Sequence, residues 1–197
     1  MYPSSINNLM TIMEKLPGIG EKTAERLVFS LLDFSSDDLT NFSNCLIEFR
    51  DNVDFCSICG NITDHKVCDI CLDNERDNSV VIVVEKPKDI LLFEKLKNFN
   101  GKYHVLNGLI SPLDGIGPEQ INLASLVQRV VNCNVKEIIL AIKPNIEGDT
   151  TMYYIKKLLD SFDVKVTKIA AGIPVGTEIE YLDTITLKLA IDGRKDI

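Results

Sequence analysis

The sequence predicts an α/β protein with a central parallel sheet, preceded by a small helical module and a cysteine-bearing loop. One observation behind this fold class is a series of short segments that are apolar throughout, as strands buried on both faces are. The other is that helical patterns separate these segments, which is typical of alternating strand and helix units. The strand candidates are Ser79–Val84, Lys102–Leu106, Glu137–Ile142 and Val164–Ile169. The helix candidates between them are Asp89–Asn98, Pro118–Cys133 and Thr151–Phe162.

The helical module comes first and spans residues 1–54. Its first helix is predicted from apolar residues at helical spacing and is stopped by Pro17 and Gly18. A second helix is predicted from about Glu21 to Leu32. Ser36 is the expected N-cap of a third. The apolar stripe predicted to form the inner face of that third helix is Leu39, Phe42, Leu46 and Phe49.

The turn between the first two helices has the form of a helix-hairpin-helix. Gly18 and Gly20 let the backbone turn tightly, and the free N–H groups at the start of the next helix would point outward at an anion. Lys22 and Arg26 are four residues apart, so they share one helix face and could flank the same phosphates. Contact of this kind reads the DNA backbone and is sequence-neutral. An ordinary helix–helix turn with a solvated charged face is the alternative.

Residues 55–78 carry two CxxC pairs, Cys56/Cys59 and Cys68/Cys71, with eight residues between them. Each CxxC turn aims two thiolates at one point, and two turns complete a tetrahedral sulfur site for one structural Zn²⁺. Two disulfides or four unrelated thiols are the alternatives, and a cytosolic setting disfavours the disulfides. His65 lies inside this loop and is expected to be exposed.

Three acidic residues follow predicted strands in the α/β domain, residues 79–172. Glu85 comes just after the first strand, and Glu147 and Asp149 come after the strand that ends near Ile142. Ligand sites of parallel sheets form beyond the carboxyl ends of the strands. Carboxylates in this layout could hold Mg²⁺, and a plain solvated loop explains the same residues equally well. His104, within a strand, is expected to be buried and hydrogen-bonded rather than a catalytic base.

Composition and charge limit the classes of function that the protein can have. The chain has 197 residues and a net charge of -8, and no apolar run is long enough to span a bilayer. We see no secretory signal and expect a cytoplasmic protein with no membrane partner. Residues 1–54 carry 4 Lys/Arg against 9 Asp/Glu. Any DNA binding must therefore come from locally placed cations and backbone amides rather than from global attraction.

Several longer motifs carry a resemblance to a known family. They are LPGIG at 16–20, the four cysteines, YHVL at 103–106, ISPLDGIGP at 110–118, EG at 147–148, GIPVG at 172–176 and EYLD at 180–183. In this order and over essentially the whole chain, the sequence resembles the RecR family of bacterial recombination mediators. The resemblance implies a helix-hairpin-helix module, a zinc finger, a Toprim domain and a C-terminal oligomerisation arm at 173–197.

The resemblance also implies a function and partners. RecR proteins form a ring-like oligomer, a dimer or a tetramer of interlocked dimers, that can encircle DNA. With RecO and RecF they promote loading of RecA onto single strands coated by single-strand-binding protein, which implies a nucleoid-associated role in DNA repair. Lys22 and Arg26 fall on the basic positions of the family hairpin. Glu85, Glu147 and Asp149 fall on the acidic positions of the Toprim signature, where they could meet Mg²⁺ or a basic partner surface.

The sequence departs from the family pattern at a few positions, and an enzymatic alternative stays open. Asn107 stands where glycine is usual, Lys143 where Asn is preferred, and Ala171 where Arg is common. The alternative function is a Mg²⁺-dependent Toprim nuclease or topoisomerase-like enzyme. Such chemistry needs a nucleophile or general base against the metal, and no such residue is evident in the sequence. We therefore expect a DNA-binding scaffold without enzymatic activity.

Overall fold

The computed structural model describes residues 2–170 and 172–194, so Ala171 lies outside the described residues. The chain divides into two compact units, Met1–Val53 and Asp54–Ile197. Within the described ranges, no helix combines the length and the apolar character needed to cross a membrane.

The first unit is helical and has a small apolar core. Its helices are α1, Ser4–Met13; α2, Glu21–Ser30; and α3, Ser36–Asn52. Met10 of α1 packs with Ala24 and Val28 of α2, and partly buried apolar side chains around the hairpin complete this cluster. Helical spacing predicts an inner face of Ala24, Leu27, Val28 and Leu31; the structure buries Ala24 and Val28, whereas Leu27 and Leu31 are partly buried. The helix itself ends two residues earlier than predicted, in a 3₁₀ turn at Leu31–Asp33.

Helix α3 has a well-capped N-terminus and no buried side chain. Ser35, rather than the predicted Ser36, is the N-cap, because its hydroxyl accepts from the Asp38 N–H at 3.1 Å while the Asp38 carboxylate accepts from the Ser35 N–H. A cap of this kind contributes about 1 kcal/mol. The predicted apolar stripe has helical spacing, but its assignment to an inner face is wrong. Its four side chains are between 40% and 66% exposed, so α3 presents an apolar stripe to solvent.

The second unit begins with the cysteine-bearing loop, which has little regular structure. Strands β1, Asp54–Phe55, and β2, Ile62–Thr63, form a short antiparallel pair. Helix α4, Asp69–Leu72, is a single turn that begins at the second CxxC pair. A segment this small cannot bury enough apolar surface to be stable by itself, so its shape depends on the cysteines and on the domain behind it.

The rest of the second unit is built on a parallel sheet, as predicted. Its strands, in chain order, are β3, Asp77–Val84; β4, Gly101–Val105; β5, Glu137–Ala141; and β6, Lys165–Lys168. The spatial order is β4-β3-β5-β6, with every neighbouring pair parallel. Central strand β3 is buried on both faces, because Val81 and Val83 join one apolar cluster while Ile82 and Val84 join another. This explains why the strand is apolar along its buried half.

Helices cover both faces of this sheet. On one face, α5, Pro87–Glu94, buries Ile90 against β3 and β4. On the other face lie α6, Ala124–Asn132, and α7, Ile146–Leu159, which bury Leu126 and Ile155. The last helix of the described residues is α8, Thr184–Asp192, and it contains the apolar stretch of the sequence at 185–191.

Three predicted helices of the second unit have different bounds in the structure. The helix predicted at Asp89–Asn98 is α5, which begins two residues earlier and ends four residues earlier. The helix predicted at Pro118–Cys133 is a 3₁₀ turn at Pro118–Gln120 followed by α6, because Ile121 is extended and buried in the sheet core. The helix predicted to begin at Thr151 begins five residues earlier. Asn145 caps it by accepting from the Gly148 N–H at 2.8 Å. Cys45 and Cys133 fall on apolar faces of predicted helices, which predicts that they are core residues. This prediction is wrong, since both are exposed.

His104 lies in β4 and is fully buried, as predicted. Its Nε2–H donates to the Asn122 carbonyl at 2.7 Å, whereas Nδ1 has no partner in the described structure. Burial lowers the pKa of His104 to about 4, against the hydrogen bond to Asn122, which raises it. The imidazole is therefore neutral at pH 7 and serves the packing of the sheet.

This buried imidazole makes stability depend on pH. Between pH 6.5 and about 4 the unfolded chain binds a proton at this position that the folded chain does not. The free energy of unfolding should fall as pH decreases through this window, by roughly 3 kcal/mol at its lower end. His104→Gln should flatten the dependence of the free energy of unfolding on pH, measured by urea titrations at several pH values. His65→Gln, at a side chain that is 69% exposed, should leave this dependence unchanged. An identical slope in the His104 variant would contradict the assignment.

Candidate metal centre and nucleic-acid interface

The four predicted cysteines lie together in the structure. Their sulfur atoms are all within 4.8 Å of one another, and Cys59 Sγ lies 3.5 Å from Cys68 Sγ. Zinc–sulfur bonds of about 2.3 Å in a tetrahedron place the sulfur atoms about 3.8 Å apart. The cluster therefore fits a Zn²⁺ ion, and its closed set of four thiolates is typical of a structural site.

The backbone around the cluster explains how the two CxxC turns converge. The Gly60 N–H donates to the Cys56 carbonyl at 2.9 Å, and the Cys71 N–H donates to the Cys68 carbonyl at 2.9 Å. Gly60 has φ 74°, and a Cβ there would lie 2.9 Å from the Val105 carbonyl oxygen. Glycine is therefore required where the first turn meets the sheet.

Crowding and burial couple the thiols electrostatically. The hydrogen bond between Cys59 and Cys68 raises the pKa of Cys59 and lowers the pKa of Cys68. The Cys68 N–H also donates 3.3 Å toward Cys56 Sγ. The first thiolate to form is thus stabilised by hydrogen bonds from its neighbours, and its negative charge disfavours deprotonation of the next cysteine. Full deprotonation of the cluster therefore requires a divalent cation.

Two residues near the cysteine cluster are not part of the metal site. His65 has a side chain that is 69% exposed, with its ring nitrogen 3.6 Å from Asp64, and it does not join the cysteine cluster. Asn107, just after β4, has φ 57°. Glycine adopts this left-handed conformation most easily, and asparagine is one of the few other residues that adopt it at modest cost.

The hairpin places its predicted residues around an open backbone turn. Gly18 has φ 83°, and a Cβ at Gly18 or Gly20 would meet no atom within 4 Å. No side chain caps the N-terminus of α2. Lys22 and Arg26 lie on α2 with Lys22 exposed, and within residues 2–170 and 172–194 neither forms an ion pair with a carboxylate. The turn therefore offers amide hydrogens and two available cations on one surface.

The three Toprim carboxylates are placed less favourably for a metal. Glu85 follows β3, and Glu147 and Asp149 lie in the first turn of α7 rather than in the predicted loop. Among the described residues, only the four cysteines form a group of three or more side chains close enough to hold an ion. Glu85, Glu147 and Asp149 do not form such a group, and Mg²⁺ at these residues stays a prediction.

The Glu85 carboxylate has protein cations beside it. Its oxygens lie 3.6 Å from Lys143 Nζ and 3.5 Å from Lys86 Nζ. Glu147 accepts a hydrogen bond from the Asn145 amide. Between the two acidic residues of α7, Gly148 is required because a Cβ there would lie 1.9 Å from the Lys143 carbonyl oxygen. The departure at Lys143 thus places a lysine against the first acidic residue of the signature.

Sequence reasoning missed two buried cations beside the cysteine cluster. Lys102 is 1% exposed and Arg129 is 6% exposed. Lys102 Nζ donates to the Ile70 carbonyl at 2.7 Å, and Arg129 donates to the Tyr103 carbonyl at 2.6 Å. A lysine inside an otherwise buried strand was the signal that could have identified the first of them.

Family models match consecutive parts of this chain. A RecR helix-hairpin-helix model matches residues 6–50 and a RecR four-cysteine zinc finger model matches 53–73. A Toprim domain model matches 79–170, and a RecR C-terminal model matches 172–195. The chain belongs to the RecR family. The resemblance found in the sequence is confirmed, and so is the predicted α/β fold class with its hairpin module, four-cysteine finger and Toprim domain.

Membership of the RecR family and the sulfur geometry together yield a test of the metal centre. Cys68→Ser should reduce bound zinc from one ion per chain to a small fraction and lower the free energy of unfolding by several kcal/mol, because metal binding contributes to folding. Zinc content by atomic absorption and thermal unfolding would measure this. Zinc should also be released as pH falls, since protons compete for the thiolates.

Exposed cysteines outside the cluster supply the matched control. Cys45→Ser and Cys133→Ser remove thiols that the structure places at the surface, and both variants should retain zinc and stability. Full zinc content in Cys68→Ser, or equal loss in all of these variants, would contradict the assignment.

Proposed function

We propose that this chain is a non-enzymatic scaffold of recombinational DNA repair that binds the DNA backbone without sequence preference. In this proposal a ring-like oligomer encircles DNA and, with RecO and RecF, promotes loading of RecA onto single strands coated by single-strand-binding protein. Membership of the RecR family supports a recombination-repair role. DNA contact, partners and assembly are the parts that the proposal adds.

The observation that carries the proposal is the open hairpin before α2. Unsatisfied N–H groups at a helix N-terminus bind anions, and the helix dipole adds to this preference. Lys22 and Arg26 lie one helical turn apart beside that N-terminus, where they can contact neighbouring phosphates. Nothing in this arrangement reads base edges, so the same surface suits DNA of any sequence.

The placement of the histidines supports a function without catalysis. A general base must be able to reach the group from which it takes a proton. His104 is fully buried, neutral and bonded to a backbone carbonyl, and His65 lies in the zinc loop. The proposal assigns no bond-breaking step to this chain and requires no Mg²⁺.

The acidic residues at the start of α7 suit a basic partner surface. Glu147 and Asp149 lie on the first turn of the helix, and Asp149 is exposed. Carboxylates at this point interact favourably with the helix dipole and can also meet lysines or arginines of another protein. We assign this surface to RecO.

The exposed stripe of α3 supports self-association. Leu39, Phe42, Leu46 and Phe49 are all at least 40% exposed on one 17-residue helix. Contiguous apolar surface of this kind on a folded protein marks an interaction site. A second copy of the chain presents the same stripe, and a self-complementary contact is the commonest way in which soluble proteins assemble.

Removing both hairpin cations should weaken DNA binding uniformly. We expect Lys22→Ala with Arg26→Ala to raise the dissociation constant for unrelated oligonucleotides at least about tenfold. The slope of log affinity against log salt should decrease by about 1.5 to 2 for two lost phosphate contacts. Fluorescence anisotropy over a salt series would measure both quantities.

The matched control for this variant changes the same charge elsewhere. Lys156→Ala with Lys157→Ala removes two exposed lysines of α7 and should have a smaller effect on affinity and slope. Undiminished affinity in the hairpin variant, or salt-independent binding by the unmodified protein, would refute the hairpin assignment.

Charge placed on the α3 stripe should disrupt the oligomer. Leu46→Glu with Phe49→Glu should reduce the light-scattering mass below that of the unmodified oligomer and toward that of the 22.0 kDa monomer, because buried unpaired carboxylates are costly. Leu91→Glu, at a side chain of α5 that is 63% exposed, is the control and should not change the mass. Measurements with added single-stranded DNA and RecO test substrate and partner together. A monomer in the unmodified protein that ignores DNA even with RecO would contradict the proposed clamp.

A further inference from the structure

Strand β4 lies at the outer edge of the sheet and yet is fully buried. Its only neighbour in the described sheet is β3, but every residue from Gly101 to Val105 is buried. An edge strand exposes a row of unpaired N–H and C=O groups unless another part of the chain covers it. Two groups of residues cover this edge. The Arg129 guanidinium and the Asn122 side-chain amide donate to the carbonyls of Tyr103 and Val105 at 2.6 and 2.9 Å, and the zinc loop covers the rest.

The first CxxC turn meets the strand through the backbone. The Val105 N–H donates to the Cys59 carbonyl at 2.7 Å, so an amide that an edge strand would leave unpaired bonds to a cysteine of the metal site. Just beyond the strand, the side-chain amide of Asn107 donates to the Gly60 carbonyl at 3.3 Å. These bonds place the first pair of cysteines against the edge.

The second CxxC turn meets the same strand through a buried lysine. Lys102 Nζ donates to the carbonyl oxygens of Ile70 at 2.7 Å, Cys71 at 3.4 Å and Asp73. These carbonyls lie at the C-terminal end of α4, where a helix leaves acceptors without internal partners. The ammonium group satisfies them together and stabilises the negative end of the turn.

The charge of the metal site explains why a cation is buried here. Four thiolates around Zn²⁺ carry a net charge of about −2. Lys102 and Arg129 are the buried cations of the described residues, and Arg129 lines the same surface cavity as Ser57 and Ile58 of the first turn. Buried charges are stable when they are paired, and the tetrathiolate supplies the balancing charge.

We propose that Lys102 is a positioning residue for the zinc centre and that the metal-closed loop acts as the missing neighbour of β4. Val105 anchors the first CxxC turn, and Lys102, on the same strand, anchors the second. The loop then holds the cysteines in place, and the strand edge is covered in return. Loss of the metal uncovers the edge, which becomes a surface for non-native association between copies of the chain.

Zinc release under native conditions tests the role of Lys102. Lys102→Met keeps the aliphatic length and removes the charge and the hydrogen bonds to the three carbonyls. We expect it to release zinc to a chromophoric chelator roughly 10- to 100-fold faster than the unmodified protein, the range typical for loss of a partner that orients metal ligands. A rate equal to that of the unmodified protein would overturn the proposal.

Two controls separate this effect from general destabilisation. Ile155→Ala opens a cavity in the core beneath α7, at a side chain that is fully buried, and should lower the melting temperature without a comparable gain in release rate. Lys165→Met removes an exposed lysine from the opposite edge strand, β6, and should release zinc at the unmodified rate. Release from the Ile155 variant as fast as from the Lys102 variant would show that Lys102 acts only through stability and would overturn its positioning role.

Hydrogen exchange on the unmodified protein tests the covered edge even if Lys102→Met fails to fold. The Val105 amide should be protected in the zinc-loaded protein and should lose protection when a chelator extracts the metal, and light scattering should then rise. Central-strand amides such as Val83 serve as the reference. Continued protection of Val105 after complete removal of zinc would overturn the proposal.

Discussion

The structure of the second unit depends on closing the exposed edge of a parallel sheet with a loop that has no core of its own. In our proposal the loop gains its shape from four thiolates, and the sheet gains part of the cover of its edge from the loop. Neither the loop nor the sheet edge is stable alone. A loop of about twenty residues cannot offset the loss of its conformational entropy by burying apolar surface. A bare edge strand would also leave polar backbone groups without partners. The folding of the metal centre and the folding of the Toprim sheet are therefore coupled.

A second constraint applies to the DNA binding that we propose for this acidic chain. With a net charge of -8, long-range attraction to phosphate is absent, so affinity must come from groups placed within a few ångströms of the backbone. The hairpin meets this condition with amide hydrogens and two cations that no carboxylate of the described residues occupies. Glu85 shows the reverse arrangement, since lysines of the same chain lie beside its carboxylate.

Much of the fold was predictable because local patterns and burial agree. The strands of the sheet lie within two residues of their predicted bounds, since residues buried on both faces are apolar at successive positions. The cysteine site was predictable because its spacing specifies its geometry. Predictions were wrong where a pattern has more than one physical meaning. The α3 stripe has the spacing of a core face yet is exposed, and Ile121 is apolar yet extended rather than helical. The burial of Lys102 had a signal in the sequence, but its partners did not, because they are backbone carbonyls, which leave no trace in residue identity.

The uncovered stripe of α3 has a thermodynamic consequence. Most of the stability of a helix in a protein comes from packing of its apolar face, so the folding of α3 is linked to whatever covers its exposed apolar side chains. Where that cover is another copy of the chain, stability follows mass action and increases with the concentration of the protein. The melting temperature of the helical unit would then depend on protein concentration as well as on sequence. Cellular abundance itself would set how much of the protein is competent to act.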